Sequence, residues 1–202
     1  MKTKKNTDRN EQFMLDLKFG KFAEATIKDW LIDLFEKKGR TLSYLYDSDF
    51  EFANLPSAER RVRLKEYDLK FDLEGKELRF EVKTDKYHDT GNLAFEYKDN
   101  NKNPSGVFVS KAEYFVYFFP RFFTENVYMI KSENLVELLS QNRWKAYFDY
   151  GGDINKTLNF IIPKEEFNKE FIEAGGLITT IDNITIPSHF NLTRFPQKKT
   201  TK

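Results

Sequence analysis

Glu66-Tyr67-Asp68-Leu69-Lys70-Phe71-Asp72-Leu73-Glu74-Gly75-Lys76-Glu77-Leu78-Arg79-Phe80-Glu81-Val82-Lys83 is the stretch whose pattern decides the architecture. Tyr67, Leu69, Phe71 and Leu73 alternate with Asp68, Lys70 and Asp72. Leu78, Phe80 and Val82 alternate with Arg79, Glu81 and Lys83. Successive side chains of a strand point to opposite faces, so each run reads as a half-buried β-strand. Glu74-Gly75 between them reads as a tight turn, with Gly taking a backbone conformation that other residues resist. A two-residue loop pairs position 73 with 76, 71 with 78, 69 with 80 and 67 with 82. Phe71 then meets Leu78, Leu69 meets Phe80 and Tyr67 meets Val82, apolar against apolar. A slip by one residue destroys that matching, which specifies the register.

The same register sets Asp68 opposite Glu81. Lys83 follows on the same face, about 6.5–7 Å further along the strand. Opposed carboxylates repel across a strand pair, and a bound cation relieves the repulsion. Magnesium favours carboxylate oxygens and keeps several waters, which suits a site with few protein ligands. Asp68 and Glu81 are therefore candidate metal ligands, and Lys83 a candidate partner for the attacking water or a phosphate. The same residues also fit an amphipathic hairpin with a solvated charged face.

Upstream, residues 20–38 fit an amphipathic helix with Ala23, Ile27, Trp30, Leu31, Leu34 and Phe35 on one stripe. Glu24 lies at the edge of that stripe. A buried acid needs a partner, so Glu24 is expected to pair with a Lys or Arg of the sheet, or to help hold the metal through water. Downstream, Leu93, Phe95 and Tyr97 alternate with Asn92, Ala94 and Glu96, giving a third strand. Glu96 on its polar face is either an accessory group of the site or a plain exposed acid.

The order of helix with inward Glu, strand with Asp, strand with Glu-x-Lys, and a further strand resembles the PD-(D/E)XK nuclease superfamily, the restriction-endonuclease-like fold. Phe80-Glu81-Val82-Lys83, Gly91-Asn92-Leu93-Ala94-Phe95-Glu96 and Ser105 to Tyr114 look like small nucleases of phages and mobile elements within it. The resemblance covers roughly residues 13–140. It implies that Asp68 and Glu81 are the metal-binding acids, Lys83 the lysine of the motif and Glu24 the helix glutamate. The proline that names the motif is replaced here by Tyr67. The fold expected is α/β, a central mixed β-sheet flanked by helices. It forms a single domain with a core at 13–140, a C-terminal αβ extension at 141–194, and tails at 1–10 and 195–202.

The chemistry expected is hydrolysis of phosphodiester bonds. Asp68, Glu81 and the backbone carbonyl of Val82 hold Mg2+ or Mn2+, and by resemblance a 5′ phosphate is left. The resemblance favours DNA over RNA as partner, and homodimers are common in the superfamily. Two other functions remain open: a catalytically silent nucleic-acid-binding module on the same fold, and a protein-interaction module.

Composition narrows the field further. The net charge is only +1, which argues against a purely electrostatic coat for nucleic acid, so the placement of the basic residues matters more than their sum. Arg60, Arg61, Arg63 and Lys65 cluster before the Asp68 strand, and Lys83, Lys86, Lys98, Lys102 and Lys111 follow. Of these, Arg60, Arg61, Arg63, Lys65, Lys86 and Lys111 are the candidate phosphate contacts. The alternative for Arg60–Lys65 is a solvated loop or a set of surface pairs with Glu59 and Glu66. With no Cys, there is no disulfide, thiolate zinc site or cysteine nucleophile. The two His, His88 and His189, are isolated. No 18-residue apolar span marks a membrane helix, and the start lacks a signal-peptide core, so a cytoplasmic location is expected.

Tyr114 to Phe119, ending at Pro120, reads as a central strand buried on both faces. Residues 41–50 read as an edge strand or an irregular lead-in, and Asn100 to Gly106 as a loop. Ser110 reads as the cap of a short helical turn carrying Lys111. Val127–Ile130 reads as a strand, followed by a helix through Leu139 with Ser132 as its N-cap. A strand at Leu158–Ile162 leads to a helix opened by Pro163 and stopped at Gly175-Gly176. Gly151-Gly152 reads as a turn, and Leu177 to Ile186 as a closing hairpin turning at Asp182-Asn183.

Overall fold

The computed structural model describes residues 2–85, 91–120, 126–141, 143–144, 146–150, 156–182 and 184. A long helix α1 (Lys2–Glu36) leads into β1 (Leu42–Asp47), the single turn α2 (Ser48–Glu51), α3 (Ser57–Arg63) and the hairpin β2 (Leu69–Leu73) and β3 (Lys76–Thr84). Then come β4 (Asn92–Lys98), a 3-10 turn (Gly106–Phe108), β5 (Tyr114–Phe118), β6 (Val127–Lys131) and α4 (Ser132–Leu139). β7 (Ala146–Tyr150), β8 (Lys156–Pro163), α5 (Lys164–Glu173) and β9 (Leu177–Thr179) complete the described elements. They form a central six-stranded sheet in the order β1-β2-β3-β5-β6-β9 and a three-stranded sheet β4-β8-β7. In the central sheet β3 and β5 run parallel and every other pair antiparallel. The fold is thus mixed α/β, with a central mixed sheet flanked by helices.

The hairpin has the expected register: Leu69 faces Phe80, Phe71 faces Leu78 and Leu73 faces Lys76. Glu74 and Gly75 both take positive φ, 54° and 88°. That is the type I′ turn whose twist suits a two-residue hairpin. The Asp72 carboxylate accepts the Gly75 N–H at 3.0 Å, and Arg40 pairs with Glu74 from outside.

Strand alternation divides the core into two layers. On one face of the central sheet, Ala23, Ile27 and Leu31 of α1 pack with Leu69, Phe71, Leu78, Phe80, Val116 and Phe118. On the other, Phe115, Tyr117, Tyr128 and Ile130 meet Leu93 and Phe95 of β4, Ile162 of β8, the leucines of α4, and Phe167 and Phe171 of α5. β5 contributes to both layers, which is why its sequence is a continuous apolar run rather than an alternating one. Phe95 lies 5.4–5.9 Å from the rings of Phe115, Tyr117 and Phe167. Such contacts add about 0.5–1.5 kcal/mol each beyond area burial.

Several elements differ from the sequence reading. The helix read at 20–38 runs from Lys2 through the stretch assigned to a tail. Between residues 2 and 18 there is no Gly or Pro to stop it. Its first half carries exposed Phe13, Met14 and Leu17, and core burial begins at Phe19. The strand at Leu93–Tyr97 forms, but in the second sheet. The edge of β3 away from β2 is occupied by β5, which lies centrally because both its faces are apolar. β4, with half-exposed Asn92, Ala94 and Glu96, suits a covering layer. β8 and β7 join β4 there, and β9 pairs with β6 at the edge of the central sheet, so these C-terminal strands are built into the same layers.

Two cap assignments also shift. α4 begins at Ser132 with Lys131 in the cap position, and the Ser132 hydroxyl has no partner among the described residues. Pro163 ends β8 and precedes α5. The Gly151-Gly152 turn, Lys86, His88, His189, the second half of the 177–186 hairpin beyond Ile184, and the 195–202 tail lie outside the described residues.

Candidate functional site

Asp68 stands one residue before β2, where the hairpin ladder ends. Its N–H donates to the Phe80 carbonyl and its own carbonyl accepts the Ser48 N–H. Asp68 is therefore not a ladder partner of Glu81 as the register extrapolation has it, and Tyr67 is not one of Val82. Instead the Asp68 carboxylate reaches past the end of the ladder, and Oδ2 accepts the Val82 N–H at 2.7 Å. Backbone groups alternate sides along a strand. Since the Phe80 carbonyl faces Asp68, the Val82 N–H and C=O face the same way, toward the edge that β2 has vacated.

Glu81 projects from β3 between Arg79 and Lys83, on the face opposite α1. Its Oε2 lies 3.0 Å from the Ser110 hydroxyl. Each of the two acids therefore has one oxygen anchored by the protein. Among the described residues no hydrogen bond reaches Asp68 Oδ1 or Glu81 Oε1.

The electrostatics bind the acids into one group. Burial pushes the Asp68 carboxyl well above the usual range; repulsion from Glu81 and then Glu24 adds to this, against the Val82 N–H. Burial lifts Glu81 to about 7; Ser110 and Lys83 oppose the shift, and Glu24 and Glu96 reinforce it. Glu24 is also raised, chiefly by burial. Acids that resist losing their protons together are acids held close with too little positive charge between them.

The remaining sequence candidates distribute as follows. Lys83 is exposed and makes no ion pair or hydrogen bond among the described residues, yet it is near enough to favour the ionised form of Glu81. Glu24 lies within electrostatic reach of both acids, but its partner comes from its own helix rather than from the sheet. Lys21 Nζ lies 2.7 Å from Glu24 and 2.6 Å from Asp49. Helical spacing puts residues three apart side by side, so the nearer cation is supplied locally. Glu96 sits in the second sheet opposite Asn159 and still lies within electrostatic reach of Glu81.

The basic candidates split into two groups. Arg60 pairs with Asp49 at 3.4 Å, while Arg63 and Lys111 converge on Glu66 Oε1 at 2.9 and 2.6 Å. Arg61 and Lys65 are exposed and unpaired among the described residues.

Sequence reasoning missed two contributors. Ser110 reads in the sequence as a helix cap, but the only helical turn described there, Gly106–Phe108, lies before it. Its hydroxyl serves Glu81, a contact 29 residues distant that no local pattern signals. Lys21 was legible only as one turn of helix before Glu24. Arg79 is locked by Glu113, whose carboxylate accepts the Arg79 backbone N–H at 2.7 Å and the guanidinium at 2.6 Å.

Among the described residues no three His, Cys, Asp or Glu side chains are arranged to hold a metal ion. The donors on hand are two carboxylates with uncommitted oxygens and the Val82 carbonyl on the same edge. That set suits a hard divalent cation that retains waters. No family model, curated protein or solved structure matches the chain significantly.

Proposed function

We propose that this protein is a divalent-cation-dependent nuclease that hydrolyses phosphodiester bonds in DNA. One observation carries the reading. Asp68 and Glu81 are half-buried acids within electrostatic reach of each other, each with one oxygen anchored and the other without a hydrogen bond among the described residues, beside a Lys83 unpaired among the described residues. A fold that needed only stability would not place two half-buried acids with raised pKa values so near each other. The resemblance of the helix–hairpin–Glu-x-Lys order to PD-(D/E)XK nucleases supports the same reading. Mg2+ or Mn2+ would be held by Asp68, Glu81 and the Val82 carbonyl, and when bound it would supply an acidified water and a counter-charge for the phosphate.

The chain's own groups do the rest. The Val82 N–H and Ser110 fix the two carboxylates, so that little reorganisation accompanies binding. The Lys83 ammonium, on the same face as Glu81, neutralises charge that grows on the phosphate as water oxygen bonds to phosphorus. The P–O3′ bond breaks, leaving 3′-hydroxyl and 5′-phosphate ends. Arg61 and Lys65, exposed and unpaired among the described residues, would be the groups that meet backbone phosphates.

The test is incubation of the wild type, Asp68→Asn and Lys83→Ala with circular, linear, single-stranded and branched DNA in Mg2+ and Mn2+, beside calorimetric titration of each cation. The wild type should cleave and take up the cation, and Asp68→Asn should do neither. Lys83→Ala should bind the cation but turn over about 100- to 1,000-fold more slowly, the usual cost of removing one charge-stabilising group. A wild type that binds DNA but neither cuts it nor takes up a cation would leave a silent binding module in place of a nuclease.

A further inference from the structure

The segment just before β5 lies along the charged face of the hairpin and grips it at three points. Glu113 holds Arg79, the Lys111 side chain holds Glu66, and Ser110 reaches Glu81. The Ser110 Oγ lies 3.0 Å from both Glu81 Oε2 and the Glu66 carbonyl, and it accepts the Ala112 N–H at 3.2 Å. A hydroxyl has a single hydrogen to donate. The Glu66 carbonyl already accepts the Lys111 N–H at 2.7 Å, and a bond to a carboxylate is the stronger of the two on offer, so the hydrogen goes to Glu81. The Ala112 N–H in turn orients the Ser110 oxygen, and the ion pairs of Glu66 with Lys111 and Arg63 hold the segment down.

We propose that Ser110 is a positioning residue for Glu81, fixing the carboxylate through Oε2 so that Oε1 is presented beside Asp68 as the cation-binding oxygen. The role rests on the nuclease reading, because it concerns the same site. Without the hydroxyl, Glu81 keeps its charge but gains freedom to rotate about its side-chain bonds, and that freedom must be given up again whenever a cation binds.

The experiment is Mn2+ titration of the full chain without DNA, followed by calorimetry and by the spin-resonance signal of free Mn2+. It compares the wild type with Ser110→Ala and Ser110→Thr. Ser110→Val against Ser110→Thr repeats the comparison at matched side-chain volume, in case the alanine variant folds poorly. The hydroxyl-less variants should bind Mn2+ about tenfold more weakly, the scale of one hydrogen bond to a charged group, and Ser110→Thr should restore binding. Thermal unfolding in a chelator registers the general loss of stability from the missing hydroxyl, and affinities are compared at a temperature where both variants are folded. Equal Mn2+ affinity in the Val and Thr variants, with the wild type binding normally, overturns the positioning role and leaves the nuclease reading intact. A wild type that takes up no Mn2+ overturns both.

Discussion

Replacing Glu81 with Gln tests the half-buried acids through folding alone. The folded protein holds the Glu81 proton up to about pH 7, against an ordinary value of 4.5. Between those values the native state binds more protons than the unfolded chain, so stability must fall as pH rises. Stability from this group is complete below about pH 4.5 and gone by about pH 7. The shift corresponds to on the order of 3 kcal/mol, an upper bound because Asp68 titrates with it. Gln cannot ionise but keeps a carbonyl oxygen for Ser110, so the variant should lose this slope and little else. Urea unfolding followed by circular dichroism, in chelator from about pH 4 to about pH 8, is the measurement. At the acid end the two proteins should agree within about 0.5 kcal/mol, the range of a surface-scale change. At the alkaline end Glu81→Gln should be the more stable by about 2–3 kcal/mol. A difference that stays constant across the range would refute the argument, because it would mean that Glu81 ionises without penalty. Saturating Mg2+ should then restore the wild type at the alkaline end, by about 2.7 kcal/mol at a hundred times the dissociation constant, and leave the variant unmoved.

Two further outcomes follow from residues away from the acid pair. Arg61→Ala with Lys65→Ala should weaken DNA binding in a cleavage-deficient background, reducing the slope of log affinity against log salt by about one for each phosphate that is no longer neutralised. An unchanged slope would remove these residues from the interface. Tyr117→Phe should destabilise the fold by about 1–3 kcal/mol in urea unfolding. The buried Tyr117 hydroxyl donates to Asp85 at 2.8 Å and accepts the Ala94 N–H at 3.1 Å, tying the end of β3 to the second sheet. A neutral result would show that these groups find other partners.

The hairpin was determined by sequence alone. Its alternation, its turn at Glu74-Gly75 and the register of Leu69 with Phe80 and Phe71 with Leu78 depend on near neighbours, and a slip by one residue would lose the apolar matching. The central place of β5 was equally legible, since a strand apolar on both faces has to be covered on both. The pairing of β4 with β8, the entry of β9 into the central sheet and the extension of α1 back to Lys2 were not. Each depends on which surface of another element is left open, and that is a property of the packed molecule.

The candidate site divides the same way. Asp68, Glu81 and Lys83 could be nominated from strand parity, because parity alone puts alternate side chains on one face. How they are held could not. Asp68 abandons the ladder for the Val82 N–H, and Glu81 takes its hydrogen bond from Ser110. Glu24 is satisfied by Lys21, while Glu66 gathers Arg63 and Lys111. Hydrogen bonds and ion pairs act over about 3–4 Å in space whatever the distance along the chain, so the partner of a charged residue is settled only when the layers have closed.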